Sequence, residues 1–417
     1  MADNKDKKVL NVPALRFPEF TEEWKRIRVS DLLDFYSTNS LSWEQLEYES
    51  NEPYNLHYGL IHVGLPTLVD LTKDKLPSIK EENVPKKYEL CKEGDVAFAD
   101  ASEDTNEVAK VVEFYNLDGK KVVCGLHTIH GRDNNKQTAK GFLGYCFSST
   151  VFHNQIRRIA QGTKIYSINT RNFSEVFVGL PSKSEQHKIA TLLRLIDEHI
   201  STQNKIIEKY ESLIQAIIYK TKTNGITKGS WQKMELSKVL HERNEKNIDG
   251  RTICSVSVSQ GVVNQVEYLG RSFAAQQTNH YNVVKYGDIV YTKSPTGDFP
   301  YGIIKRSDIE EDVAVSPLYG VYTPSNDNIG VILHFYFMKP SNAFNYLHPL
   351  IQKGAKNTIN ITNLRFLENF VPLPISENEA YTIATTLKTI QKKIDIEKRL
   401  LQAYMIEKEY LLRQMFI

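Results

Sequence analysis

The sequence predicts an α+β protein of two similar mixed α/β domains in tandem, each followed by a long helix, with the two helices pairing as an antiparallel coiled coil. Three observations predict it. The 417-residue chain repeats itself; each copy opens with short β-branched and aromatic runs cut by glycine and proline; and each closes on a heptad of apolar residues.

The repeat is read from ordered landmarks. Trp24-Lys-Arg-Ile-Arg-Val-Ser-Asp-Leu-Leu33 matches Trp231-Gln-Lys-Met-Glu-Leu-Ser-Lys-Val-Leu240, and Lys92-Glu-Gly-Asp-Val96 matches Lys285-Tyr-Gly-Asp-Ile289. Val122 to Leu126 then aligns with Ala314 to Leu318, Gly162 with Gly354, and Leu180-Pro181 with Leu373-Pro374. Short runs such as Asp95-Val-Ala-Phe-Ala99, Gly287-Asp-Ile-Val-Tyr291 and Val331-Ile-Leu-His-Phe-Tyr-Phe337 read as strands between turn signals.

After each Leu-Pro pair the period changes. Ser184-Glu-Gln-His offers a hydroxyl cap with early acidic charge. Leu193, Ile196, Ile200, Ile207, Tyr210 and Ile214 then fall on heptad positions, and Leu387, Ile390, Ile394, Leu401, Tyr404 and Leu411 repeat them at an offset of 194. Two matched helices of this length outrun a domain of ordinary size, so their seams are expected to face each other. The predicted boundaries are an N-terminal segment 1–23, a first domain 24–181, a first long helix 182–222, a linker 223–230, a second domain 231–374 and a second long helix 375–417.

Composition excludes several classes. Hydrophobic residues at 41% and charged residues at 24% fit a folded protein, and no run approaches the roughly 20 apolar residues of a membrane helix. Four cysteines scattered without CxxC spacing and a polar start without an apolar core suggest a reduced, cytoplasmic protein. The chain has no phosphate-loop, dinucleotide-binding, HExxH or GxSxG motif. No catalytic residue is expected, and no metal site, because His127 and His130 fall on opposite faces of a strand without a Cys or acidic partner at ligand spacing. Asp298-Phe-Pro-Tyr301 has the outline of a base-holding loop but lacks its first proline, and is read as a turn.

A net charge of +2 does not by itself identify a partner, but its distribution is informative. No Asp or Glu occurs between Asp133 and Glu175, or between Asp327 and Glu368, whereas both segments carry lysine, arginine, amides and aromatics. Phosphates require cations without repelling carboxylates, and base edges are read by amides and guanidinium groups. The glycine-led loops therefore supply the first DNA-binding candidates: Lys164, Tyr166, Asn169 and Arg171 in copy one, and Lys353, Lys356, Asn357 and Asn360 in copy two. The loop after each Gly-Asp strand, where the copies diverge, adds Lys293, Ser294 and Thr296.

With these features in view the chain resembles the DNA-specificity subunit of type I restriction-modification systems. The resemblance rests on the opening Val12-Pro-Ala-Leu-Arg-Phe-Pro-Glu-Phe-Thr-Glu-Glu-Trp24 and on Gly162-Thr-Lys followed by Leu180-Pro-Ser-Lys-Ser-Glu-Gln-His-Lys-Ile-Ala190. The second junction, Leu373 to Ala384, lacks the Glu-Gln pair, which argues against any role for Glu185 or Gln186 beyond capping. The resemblance implies two target recognition domains, each reading one half of a bipartite site on double-stranded DNA. It also implies helices that set the spacing and dock two methyltransferase subunits, and restriction subunits with translocase and nuclease activity. The chain would then be non-catalytic and hold no cofactor, S-adenosylmethionine belonging to the methyltransferase partners. The competing expectation is a coiled-coil scaffold with two protein-binding domains.

Overall fold

The computed structural model describes residues 11–48, 52–272, 274–353 and 359–417, with backbone alone at 352–353 and 359–360. It divides into two compact units, residues up to 203 with 400–417, and residues 204–399. Each unit therefore contains one repeated domain and a stretch of both long helices.

In the first unit a five-stranded sheet runs in the order Asp34–Tyr36, Thr128–Arg132, Val96–Ala99, Val111–Asn116, Leu68–Asp70. The Gly-Asp landmark explains its central strand. The carboxylate of Asp95 accepts from the Lys92 backbone N–H at 2.8 Å, turning the chain, and takes two further hydrogen bonds from the Arg132 guanidinium. All four residues of Val96–Ala99 are then buried. Copy two uses the same device: Asp288 accepts from the Lys285 backbone at 2.8 Å and from Arg243 at 2.6 Å. Strands Leu240–Glu242, Gly320–Pro324, Ile289–Tyr291 and Ile304–Arg306 lie side by side there.

The tryptophan landmark closes each domain. Lys25–Arg28 pairs antiparallel with Phe177–Leu180, and Trp231–Glu235 with Phe370–Pro374, so each domain's ends meet where its long helix begins. The buried Trp24 indole N–H donates to Glu185 at 3.2 Å, and Arg16 donates to both Glu185 oxygens at 2.6 and 2.8 Å. Trp231 donates to Glu379 at 2.7 Å. Glu379 stands at the heptad offset from Glu185, so the second junction keeps the functional half of the motif. The restriction of Glu185 to capping is thus corrected. Gln186 likewise accepts from Ala139 N–H at 2.7 Å and donates to the Pro181 carbonyl at 2.9 Å, fastening a neighbouring loop to the helix.

The long helices are Lys183–Lys228 and Glu377–Gln414. They pair antiparallel within each unit. In the first unit Leu193 and Ile196 are buried with Leu411, Met415 and Phe416, Ile200 packs against that cluster, His199 stacks on Tyr404 at 5.3 Å, and Lys408 meets Asp197 at 2.6 Å. Leu401 is half-buried there. In the second unit Ile207, Ile214, Leu387, Ile390 and Ile394 are buried, Tyr210 is half-buried beneath Lys393, and Lys398 meets Glu211 at 3.0 Å.

Two sequence readings are corrected. Residues 223–228 are not linker, because the first helix continues to Lys228. Gly225, placed within that linker, is a contact surface: a Cβ there would meet the Trp231 ring at 1.9 Å, so glycine lets the indole lie on the helix. Val331 to Phe337 is not a strand but the body of the helix Asp327–Phe337, capped by the Asn326 side chain on Ile329 N–H at 3.0 Å. It is buried almost all round, which erases the amphipathic period that distinguishes helix from strand. None of the described helices is long and apolar enough to cross a membrane.

Removing one partner of a buried ion pair leaves the other uncompensated, at a cost of roughly 3–5 kcal/mol. Glu185→Ala is expected to destabilise the first unit by about 3 kcal/mol, and Arg16→Ala by less, since Trp24 still holds the carboxylate. Denaturant unfolding followed by Trp24 fluorescence measures both; an unchanged midpoint for Glu185→Ala would refute the clamp.

Candidate nucleic-acid interface

The fold brings the two candidate loops of the first copy together. Strand Val96–Ala99 runs out at Asp100, whose carbonyl accepts from Ile168 N–H at 2.9 Å. Ala101–Ser102 then pairs antiparallel with Tyr166–Ser167, joining the loop after the Gly-Asp strand to the glycine-led loop. Gly162 makes the latter possible: at φ 138° its Cβ position would fall 1.8 Å from the Ile165 carbonyl oxygen, a closure no other residue permits.

On this pair of loops Lys164 and Arg171 are exposed, and neither has an ion-pair partner among the described residues. Tyr166 is half-buried against the core. The Asn169 side-chain oxygen accepts from the Arg171 backbone N–H at 2.9 Å, so Asn169 shapes the turn that presents Arg171. The acid-free segment is not uniformly available to a polyanion. Lys140 is committed to Glu93 at 2.8 Å, while Arg157 reaches Asn106 on the adjoining loop at 2.7 Å.

The second copy has a related arrangement. Lys293, at φ 60° and half-buried, donates to Asn363 at 2.5 Å, and Asn363 donates to Glu242 at 2.6 Å. The loop after the Gly-Asp strand is thereby tied to the segment that follows the glycine-led loop. Burial lowers the Lys293 pKa, opposed by Glu242, so this lysine is a positioned donor more than a free phosphate neutraliser. Ser294 and Thr296 are exposed, and Thr296 and Phe299 bond reciprocally across a tight turn that contains Asp298. Lys353 and Asn360 lie on the paired strands Gln352–Lys353 and Ile359–Asn360. Lys356 and Asn357 lie outside the described residues. Arg365 is engaged by Glu368 at 2.7 Å.

Sequence reasoning passed over an aromatic and imidazole group beside the first pair of loops. His57 lies between Trp43 and Tyr58 at 4.4 and 4.6 Å, and Tyr58 meets His127 at 5.3 Å. His62 contacts the Ala101 carbonyl at 3.1 Å, and His127 contacts Asp100 at 3.2 Å. Burial raises the Asp100 pKa against the pull of His127, and burial lowers that of His57. Trp43 is 45% exposed, leaving a flat ring for stacking. The concentration of Trp, His and Tyr between residues 43 and 62 was the available signal.

Residues 21–212 match the family model described as type I restriction modification DNA specificity domain. That match spans just under half of the chain. Two curated relatives from Methanocaldococcus jannaschii extend the similarity along the chain. One, provisionally named type I restriction enzyme MjaX specificity subunit, is 23% identical over 91% of this chain and 90% of its own length. The other, the type I restriction enzyme MjaVIII specificity subunit, is 24% identical over 67% and 70%. In fold, the chain is similar to the type I restriction-modification S subunit from M. genitalium, with a TM-score of 0.61, 14% identity and coverage of 97% and 99%. A second solved chain, from work on complex assembly and conformational transition of the type I R-M system, has a TM-score of 0.51 at 13% identity, covering 93% and 96%. The specificity-domain match covers the first copy and part of the first long helix; the internal repeat carries the same architecture into the second.

Each lysine or arginine that meets a phosphate contributes about 0.9 to the slope of log K against log salt. Arg171→Ala in this specificity domain is expected to flatten that slope by about one and to weaken binding to all duplexes alike. A titration of labelled duplex across salt concentrations reads it, and an unaltered slope would remove Arg171 from the interface.

Proposed function

We propose that the chain is the DNA-reading subunit of a type I restriction-modification assembly, each repeated domain reading one half of a bipartite site on double-stranded DNA. The observation that carries this reading is that in the first unit the Tyr166–Ser102 strand pairing ties the two candidate loops together, and in the second the Lys293–Asn363 hydrogen bond ties the loop after the Gly-Asp strand to the segment that follows the glycine-led loop. Paired loops that diverge between copies, mounted on a frame that does not, suit two readers of different sequence. In this reading Lys164 and Arg171 meet phosphates, while Ser294 and Thr296 face base edges.

The long helices act as spacer and as docking surface for two methyltransferase subunits, with translocating nuclease subunits joining that core. The chain itself catalyses nothing. S-adenosylmethionine resides on the methyltransferase partners, and the assembly works in the cytoplasm.

Exchanging residues 24–180 for the equivalent part of another specificity subunit should change one half of the methylated motif, seen by methylome sequencing, and leave the other half as it was. Changes on both halves, or on neither, would contradict independent readers. A ruler can be tested separately. At 1.5 Å per residue, four residues inserted into each helix near Asn204 and Glu397 lengthen the pair by about 6 Å, roughly two base pairs. The unread spacer in the motif should grow accordingly; an unchanged spacer would rule out the helices as the gauge.

A further inference from the structure

Cys91 and Cys124, 33 positions apart in sequence, stand with their sulfurs 3.5 Å apart, because the Cys91 backbone N–H donates to Val122 at 2.8 Å. Together with a ring nitrogen of His130 they form a set whose ligand atoms all lie within 4.8 Å of one another. All three side chains are buried. His130 Nε2 is engaged by the Asp95 carboxylate at 2.7 Å, and Nδ1 is buried with no hydrogen-bond partner among the described residues. Asp95 is held in turn by Arg132 and by the Lys92 backbone.

An imidazole nitrogen buried without a partner costs about 1–3 kcal/mol, so its retention calls for a ligand. Protein histidines that bind metal present one nitrogen to the ion and give the other N–H to a carboxylate or carbonyl. His130, with Asp95 behind it, has that disposition. Two thiolates and an imidazole are a soft donor set suited to zinc. Zinc–sulfur bonds near 2.3 Å in a tetrahedron put two sulfurs roughly 3.8 Å apart, close to the observed separation, whereas a disulfide requires about 2.05 Å. Charge agrees as well: two thiolates cancel a divalent cation, so the loaded site would be neutral in an apolar surround. Binding sends the two thiol protons to solvent.

We propose that Cys91, Cys124 and His130 form a zinc site that fastens the residues preceding strand Val96–Ala99 to strands Val122–Cys124 and Thr128–Arg132. The first of these strands ends at Asp100 and the last is preceded by His127, so the site braces the base of the first pair of loops. The sequence reading looked for ligand spacing locally, whereas these ligands converge through sheet pairing.

The full chain, purified under reductant, loaded with Zn²⁺ and dialysed against metal-free buffer, should retain about one zinc per chain, and Cys124→Ser should retain less than a tenth of that. Co²⁺ used instead should give a thiolate-to-cobalt charge-transfer band that is lost in Cys124→Ser and altered in His130→Asn. Should these variants fold poorly, the wild-type chain suffices: its melting temperature should rise with added Zn²⁺ and fall on chelation. Zinc retention equal to that of Cys124→Ser, a wild-type melting temperature indifferent to Zn²⁺ and chelator, or a Cys91–Cys124 disulfide recovered from zinc-treated reduced protein would each overturn the site.

Discussion

A carboxylate at the start of each long helix holds a repeated domain to that helix. Glu185 is buried and takes hydrogen bonds from Trp24 and Arg16, and Glu379 takes one from Trp231. The helix N-terminus favours negative charge there, and the indole N–H and guanidinium offset part of the desolvation that burial imposes. Because the tryptophan begins the strand that pairs with the domain's last strand, one contact fixes both ends of the domain to the first turn of the helix. Loops carried on such a frame inherit its orientation, and sequence can vary in them without disturbing the attachment.

The first unit is not contiguous in sequence. The first draws on residues 400–417, whose Leu411, Met415 and Phe416 share a buried cluster with Trp24, Phe142 and Leu193. Phe416 packs edge-on against Trp24 at 6.5 Å. The first domain's core is thus completed by the end of the chain, after the second domain and its helix have been made. Such closure over a long loop adds little to the equilibrium cost, which grows only logarithmically with loop length, but it delays assembly of that core. The antiparallel pairing is therefore part of the fold of each unit as well as a candidate gauge.

The elements legible in the sequence were those with a strong period or a repeated landmark. The heptad gave both long helices to within a few residues at their N-terminal ends, and the Gly-Asp and Trp landmarks marked strands whose partners, Arg132, Arg243, Glu185 and Glu379, only the fold identifies. Asp327–Phe337 was misread because an all-round buried helix carries no amphipathic signal. Assigning Gly225 to a linker missed its value, which lies in what rests on it, the Trp231 ring. Within the interface, Lys140 and Arg365 counted as free cations until the fold supplied Glu93 and Glu368. Charge patterns along a sequence cannot see such partners, nor could ligand spacing see Cys91, Cys124 and His130 converge.

These commitments bear on how a nearly neutral chain can hold a polyanion. A net charge of +2 gives little long-range attraction, so binding energy must be generated at contact. On the first pair of loops Lys164 and Arg171 have no ion-pair partner among the described residues, while nearby Lys140 is paired with Glu93 and Arg157 is held by the neutral amide of Asn106. On the second pair Lys293 is held by Asn363 and its charge is disfavoured by burial. A weak electrostatic term leaves specific contacts a larger share of the total binding energy and lowers affinity for unrelated duplex, since non-specific binding is almost entirely electrostatic. On the proposed reading, sparse charge on these loops favours discrimination over tight binding.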